Sequence, residues 1–180
     1  LCELGLANEA VSHFRRAVEL APDYVDAHMH LGNLLDEIGE TAQAMECLRH
    51  AIDLDADNGD AHNALGTVLM KLGHAAEAEG EFHRAVELDP GSVMALGNLG
   101  NALVARGDLE TSFEHLRRAV AIEPGNVGAQ FNLAGALRFG YRSDEAETHF
   151  RKVLELDPDH TGALQFLGAL TRESGRWEES

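Results

Sequence analysis

Five segments of this chain are near copies of one another at a constant spacing of 34 residues. HFRRAVELAP (13–22) returns as CLRHAIDLDA (47–56), EFHRAVELDP (81–90), HLRRAVAIEP (115–124) and HFRKVLELDP (149–158). A fixed period of this length means that one supersecondary unit is repeated, and that each unit can bury its apolar face only against its neighbours. Every other feature has to be placed in that phase.

Counting from Val25 gives units 25–58, 59–92, 93–126 and 127–160, flanked by partial units 1–24 and 161–180. Position 7 is Leu31, Leu65, Leu99, Leu133 and Leu167; position 8 is Gly32, Gly66, Gly100, Ala134 and Gly168. Position 20 is Ala10, Ala44, Ala78, Ser112 and Ala146, and position 24 alternates Phe14, Leu48, Phe82, Leu116 and Phe150. This spacing puts one apolar stripe on each of two helices per unit. Small residues at 8, 20 and 27 let the helices approach, and Leu or Phe at 7 and 24 fills between them. Gly39, Gly73, Gly107 and Gly175 at position 15, with Gly5 upstream, are expected to end the first helix of each unit in the left-handed region. All four prolines (Pro22, Pro90, Pro124 and Pro158) fall at position 32, where they stop the second helix.

With those positions filled, the chain resembles the tetratricopeptide repeat family over essentially its whole length. The resemblance implies an all-α fold, a right-handed superhelical solenoid of antiparallel helix hairpins. One departure is general: the usual aromatic at position 4 is His28, His62, Leu96, Gln130 or Leu164 here. Unit 127–160 is expected to be irregular. There Ala134 replaces Gly, Val153 replaces Ala, and the turn GYRS has its glycine, Gly140, one place early.

Composition excludes several functions. The 14 basic and 31 acidic residues leave a net −17, which opposes a phosphate backbone as partner, so no nucleic acid is expected. The charge is uneven: residues 1–90 hold 5 basic and 18 acidic residues (−13), residues 91–180 hold 9 and 13 (−4). Solubility accounts for most such acidity, and a preference for basic partners at the N-terminal end is the sharper reading. No apolar run approaches the ~20 residues that cross a bilayer, so no membrane partner is expected and the compartment is read as cytoplasmic. Cys2 and Cys47 make neither a disulfide framework nor a zinc site. No phosphate-binding glycine loop, nucleophile elbow or paired catalytic carboxylates are found, so neither an enzyme activity nor a cofactor is expected.

The recurring histidine at position 23 (His13, His115 and His149, with Cys47 and Glu81 completing the ladder) suggests metal chemistry. Geometry opposes it. Equal positions in successive units are separated by a whole hairpin, whereas ligands of one zinc lie about 2.0–2.3 Å from it. The expected place for this residue is the boundary of the second helix. Arg15/Arg16, Arg117/Arg118 and Arg151/Lys152 form a basic stripe, which Glu19, Glu114 and Glu155 are placed to neutralise at helical spacing.

The family resemblance further implies that positions 2, 5, 6, 9, 12 and 13 of the first helices line a concave groove that binds an extended peptide or a partner helix. The candidate residues are Asn33, Asn63, Asn98, Asn101, Phe131, Asn132, Arg138, Gln165 and Arg172, with Gly97 and Gly135 leaving space. Each amide offers a donor and an acceptor to a peptide backbone. Phe131 and Phe166 would supply apolar pockets, and Arg138 or Arg172 a carboxylate contact. The N-terminal wall is acidic instead, through Asp26, Asp36, Glu37 and Asp60.

Arrays that clamp the acidic tails of heat-shock chaperones carry cations where this chain has Gly97, Gly162 and Phe166, which argues against that activity. Arrays attached to O-GlcNAc transferases are similar in having Asn at position 6, matched by Asn98 and Asn132 but not by His30, Ala64 or Phe166. The leading expectation is a protein-binding scaffold. The alternative is the substrate-recruiting arm of a larger glycosyl-, sulfo- or methyltransferase. The phase stops mid-unit at both ends, which leads to the expectation of a fragment of a longer protein. It also raises end-to-end self-association through the incomplete terminal repeats.

Overall fold

The computed structural model describes the backbone of residues 2–178 and the side chains of residues 7–170. Ten helices follow one another, with no strand among the described residues: α1 (Cys2–Leu20), α2 (Val25–Glu37), α3 (Thr41–Leu54), α4 (Gly59–Lys71), α5 (Ala75–Leu88), α6 (Val93–Arg106), α7 (Leu109–Ile122), α8 (Val127–Phe139), α9 (Ser143–Leu156) and α10 (Thr161–Glu178). They divide into two compact units, Leu1–Pro90 and Gly91–Ser180. In the first, α2/α3 and α4/α5 are helix hairpins and α1 packs on α2. In the second, α6/α7 and α8/α9 are hairpins and α10 packs on α9. Among the described residues no helix is long and apolar enough to cross a membrane.

The period-34 positions become the hairpin contacts. A Cβ at Gly32 would lie 2.7 Å from Leu48 Cγ, at Gly66 2.6 Å from Phe82 Cε1, and at Gly100 2.5 Å from Leu116 Cγ. Position 8 is therefore glycine because the large residue at position 24 of the facing helix occupies its side-chain space. Ala44, Leu48, Leu99, Leu116 and Ala119 are fully buried at these seams. In the α8/α9 hairpin the same contact is made with Ala134 and Phe150, both buried, so one Cβ is accommodated there.

Three first helices, α4, α6 and α8, start on side-chain caps at position 34. Asn58 Oδ1, Ser92 Oγ and Asn126 Oδ1 accept from the amides of Ala61, Ala95 and Ala129 at 2.9, 3.3 and 3.0 Å. First helices end where predicted at three turns: Gly39, Gly73 and Gly107 adopt φ of 86°, 81° and 89°. In the fourth turn Gly140 keeps φ −83° and the left-handed place falls to Tyr141, at φ 58°. The bonding is unchanged: Arg142 N donates to Leu137 O at 2.9 Å, as Glu40 N does to Leu35 O at 2.8 Å. The early glycine has its own cause. A Cβ at Gly140 would stand 2.8 Å from Phe113 Cζ.

Two of the expected glycine stops are corrected. Gly5 lies inside α1 and Gly175 inside α10. A glycine costs a helix only about 1 kcal/mol relative to alanine, and the helix runs on through both positions. Residues 2–5 are thus continuous with the rest of α1, and Arg176–Glu178 with the rest of α10.

Candidate functional site

The position-4 and position-23 residues, read separately in the sequence, meet across two hairpins, α4/α5 and α8/α9. His62 of α4 is buried; its Nδ1 stands 2.6 Å from Glu81 Oε2 of α5 and its Nε2 3.1 Å from Ala56 O. In the second unit Gln130 of α8 donates from Nε2 to Pro124 O (2.8 Å), and its Oε1 accepts from His149 Nδ1 of α9 (2.7 Å). His28 Nε2 contacts Pro22 O at 2.7 Å in the same way, and its ring meets His50 edge-on at 4.4 Å. These polar side chains replace the family's aromatic by tying the first helix to the loop carbonyl six residues back. Burial is the main influence on the His149 ring and holds it below its ordinary pKa; the Glu145 carboxylate opposes this and the Arg117 guanidinium adds to it. Burial likewise pushes the Cys47 thiol up, away from reactive thiolate. Among the described residues no three His, Cys, Asp or Glu side chains gather where they could share a metal ion.

The basic stripe is only partly self-neutralised. Arg16 pairs with Glu19 (2.7 Å) and Lys152 with Glu155 (2.8 Å) as expected. Arg117, however, reaches Glu145 of α9 (3.2 Å), and Arg49 reaches Glu77 of α5 (3.1 Å). Arg15 donates to Gln43 Oε1 at 2.8 Å. At these three places position 25 links one second helix to position 19 of the next, 28 residues on. Such exposed pairs contribute at most about 1 kcal/mol each.

On the first helices of unit Leu1–Pro90, Asn33 is exposed, but Asn63 is buried, which corrects its reading as a groove contact. Gly97 at the same position is also buried, with Asn132 of α8 beside it. The acidic wall is partly neutralised: Lys71 Nζ bonds Asp36 Oδ2 at 2.7 Å.

In unit Gly91–Ser180 the candidates separate into two groups. Phe131 and Phe166 do not form open pockets. They are half-buried in a ring cluster, with Phe166 stacked on Phe150 at 4.8 Å and Phe131 5.7 Å from Phe150. The Phe131 ring lies over Gly162, whose absent Cβ would be 2.8 Å from it. Arg138 lies 4.1 Å over the Phe166 ring, so its guanidinium covers the cluster. Arg172 lies outside the described residues, and Gln165 is exposed on α10.

The amides form the second group. Asn98 and Asn132, half-buried, border an open cleft of about 300 Å³ between α6 and α8. Val93, Met94 and Ala129 make its apolar walls, and Gly97 and Gly128 give it depth. Asn132 Nδ2 lies 3.2 Å from where a Gly97 Cβ would stand. Asn101, one turn further along α6, is exposed. Asn126 also lines the cleft, but its Oδ1 caps α8 and its Nδ2 donates to Glu123 (2.8 Å). The cleft was not legible as such in the sequence; the signal present was the coincidence of Asn at position 6 in two successive units with glycine at 97 and 128.

Known proteins carry the same architecture. Three sequence models of the tetratricopeptide repeat match residues 1–67, 63–127 and 127–160. No curated protein sequence matches the chain. Among solved structures, YrrB, a TPR protein with an unusual peptide-binding site, is 25% identical over 92% of this chain and 85% of its own, with a TM-score of 0.72. MamA from Desulfovibrio magneticus is 21% identical over 89% of this chain and 90% of its own, at a TM-score of 0.75. A thermophilic TPR protein of Thermus thermophilus is 20% identical over 95% and 94%, at 0.78. With ten helices in period-34 hairpins and three repeat models in succession from residue 1 to residue 160, the chain is an all-α repeat solenoid and belongs to the tetratricopeptide repeat family.

Proposed function

We propose that this chain is a protein-interaction scaffold whose unit Gly91–Ser180 holds an extended peptide or partner helix along the open face of α6 and α8. One observation carries the reading: the carboxamides of Asn98 and Asn132 flank an open cleft. Carboxamides there can bond a peptide main chain in both directions, whatever its sequence. Asn101 continues the row. The likeness to YrrB, a protein with a peptide-binding site, supports the same reading. Arg138 serves the ring cluster, so its removal would test folding as much as binding.

The test uses synthetic peptides chosen from a displayed random library on the wild-type chain. The double variant Asn98→Ala/Asn132→Ala should bind them more than tenfold less tightly with its far-ultraviolet helical signal intact. Equal affinity of variant and wild type would refute the assignment.

A further inference from the structure

We infer that the cleft between α6 and α8 is a selectivity pocket that takes one uncharged, apolar side chain of the bound segment, of the size of Leu, Met or Phe. The inference rests on the scaffold reading and adds what that reading leaves open, namely which side chain is chosen. Size is the first argument. At about 300 Å³ the open cleft has room for a whole apolar side chain, the aromatic ones included.

Lining chemistry is the second argument. Val93, Met94 and Ala129 present carbon, Gly97 and Gly128 present backbone without side chains, and no ionised group lines the space. A charged side chain entering it would lose water with no counter-charge to replace it. An apolar one gains roughly in proportion to the area it buries. Met94, 61% exposed at the rim, is unbranched and can fold over occupants of different shape. Asn126 is committed to capping α8, so it does not add a polar demand.

The same displayed library tests it. A Cβ at residue 128 would meet only Asn126 Oδ1, at 3.4 Å, so Gly128→Leu can fill the cleft without displacing a helix. Met94→Glu, at an exposed site, brings a charge to the rim and is a second, independent variant. Peptides selected on the wild type should share one apolar residue, and both variants should bind them at least tenfold less tightly with helical signal retained. If Asn98→Ala/Asn132→Ala weakens the peptides but they share no apolar residue, or if Gly128→Leu and Met94→Glu bind as the wild type does, the pocket is overturned and the scaffold reading stands. If the library yields no binder, or only binders indifferent to the amide variant, both are overturned.

Discussion

Residues 1–90 carry a net −13 and seven of the ten histidines, whereas residues 91–180 carry −4 and three. Both units nevertheless build hairpins on the same frame of glycine or alanine against Leu or Phe. The comparison teaches which parts of a repeat are fixed by packing and which are open to chemistry. In the first unit the polar tie across the hairpin is His62 to Glu81, a carboxylate bond; in the second it is Gln130 to His149, a neutral one. The first unit turns at glycines in both hairpins, and the second at one glycine and one tyrosine. Its first helices also differ: α4 sends Lys71 to Asp36 of α2, whereas α6 and α8 leave a cleft between amides.

The shared frame should be the least forgiving element. Gly66→Ala and Gly100→Ala would each place a Cβ inside 2.7 Å of a buried side chain, and each is expected to lose about 3 kcal/mol in urea denaturation. Ala134→Gly in the remaining hairpin should lose only about 1 kcal/mol, the helix cost of glycine. Equal losses at all three places would mean that the contact at Ala134 is as demanding as those at the two glycines.

That frame was legible in the sequence because a 34-residue period exposes every position several times. What it did not expose was anything that depends on how one helix is rotated against the next. Asn63 and Phe131 share position 5 with Gly97, and the family resemblance implied an open face for them. In the fold Asn63 is buried, and the Phe131 ring lies over Gly162 of the next first helix. The tie between positions 4 and 23 was hidden for a similar reason. Each residue was visible, but their meeting 19 residues apart depends on the hairpin register. The irregularity expected in unit 127–160 takes the form of a left-handed Tyr141 one place past Gly140, with the backbone bonds of the turn kept.

The polar ties should part the units next. His62→Leu strands the Glu81 carboxylate, whose hydrogen bond is charge-assisted, and should cost about 2 kcal/mol. Gln130→Leu should cost about 1 kcal/mol or less. Its partner Pro124 is exposed, and the chain already uses a buried leucine, Leu96, at that position. A reversed order in urea midpoints would show that the carboxylate is not the more demanding partner.

At the turns the sign inverts. Tyr141→Gly relieves a left-handed residue that is 95% exposed, and should raise stability by about 1 kcal/mol. The corresponding change in the first unit, Gly73→Tyr, should lower it by a similar amount. A neutral Tyr141→Gly would mean that its side chain makes up for the strain through contacts of its own.

The smallest effect is expected from pH, and only its direction is fixed. Burial lowers the His149 pKa on folding from an ordinary value near 6.5. Between the lowered and the ordinary value the unfolded chain binds a proton that the folded chain does not, so stability rises with pH through that window. The contribution is complete above about 6.5 and is lost as pH falls towards the folded value. His149→Gln can keep a donor towards Gln130 while removing the titration. Comparing urea midpoints at pH 7.5 and 5.5 then isolates this group from the many carboxylates: the wild type should lose more stability than the variant. Parallel losses would place the tie between Gln130 and His149 outside the pH response, and with it the distinction between a neutral bond in one unit and a carboxylate bond in the other.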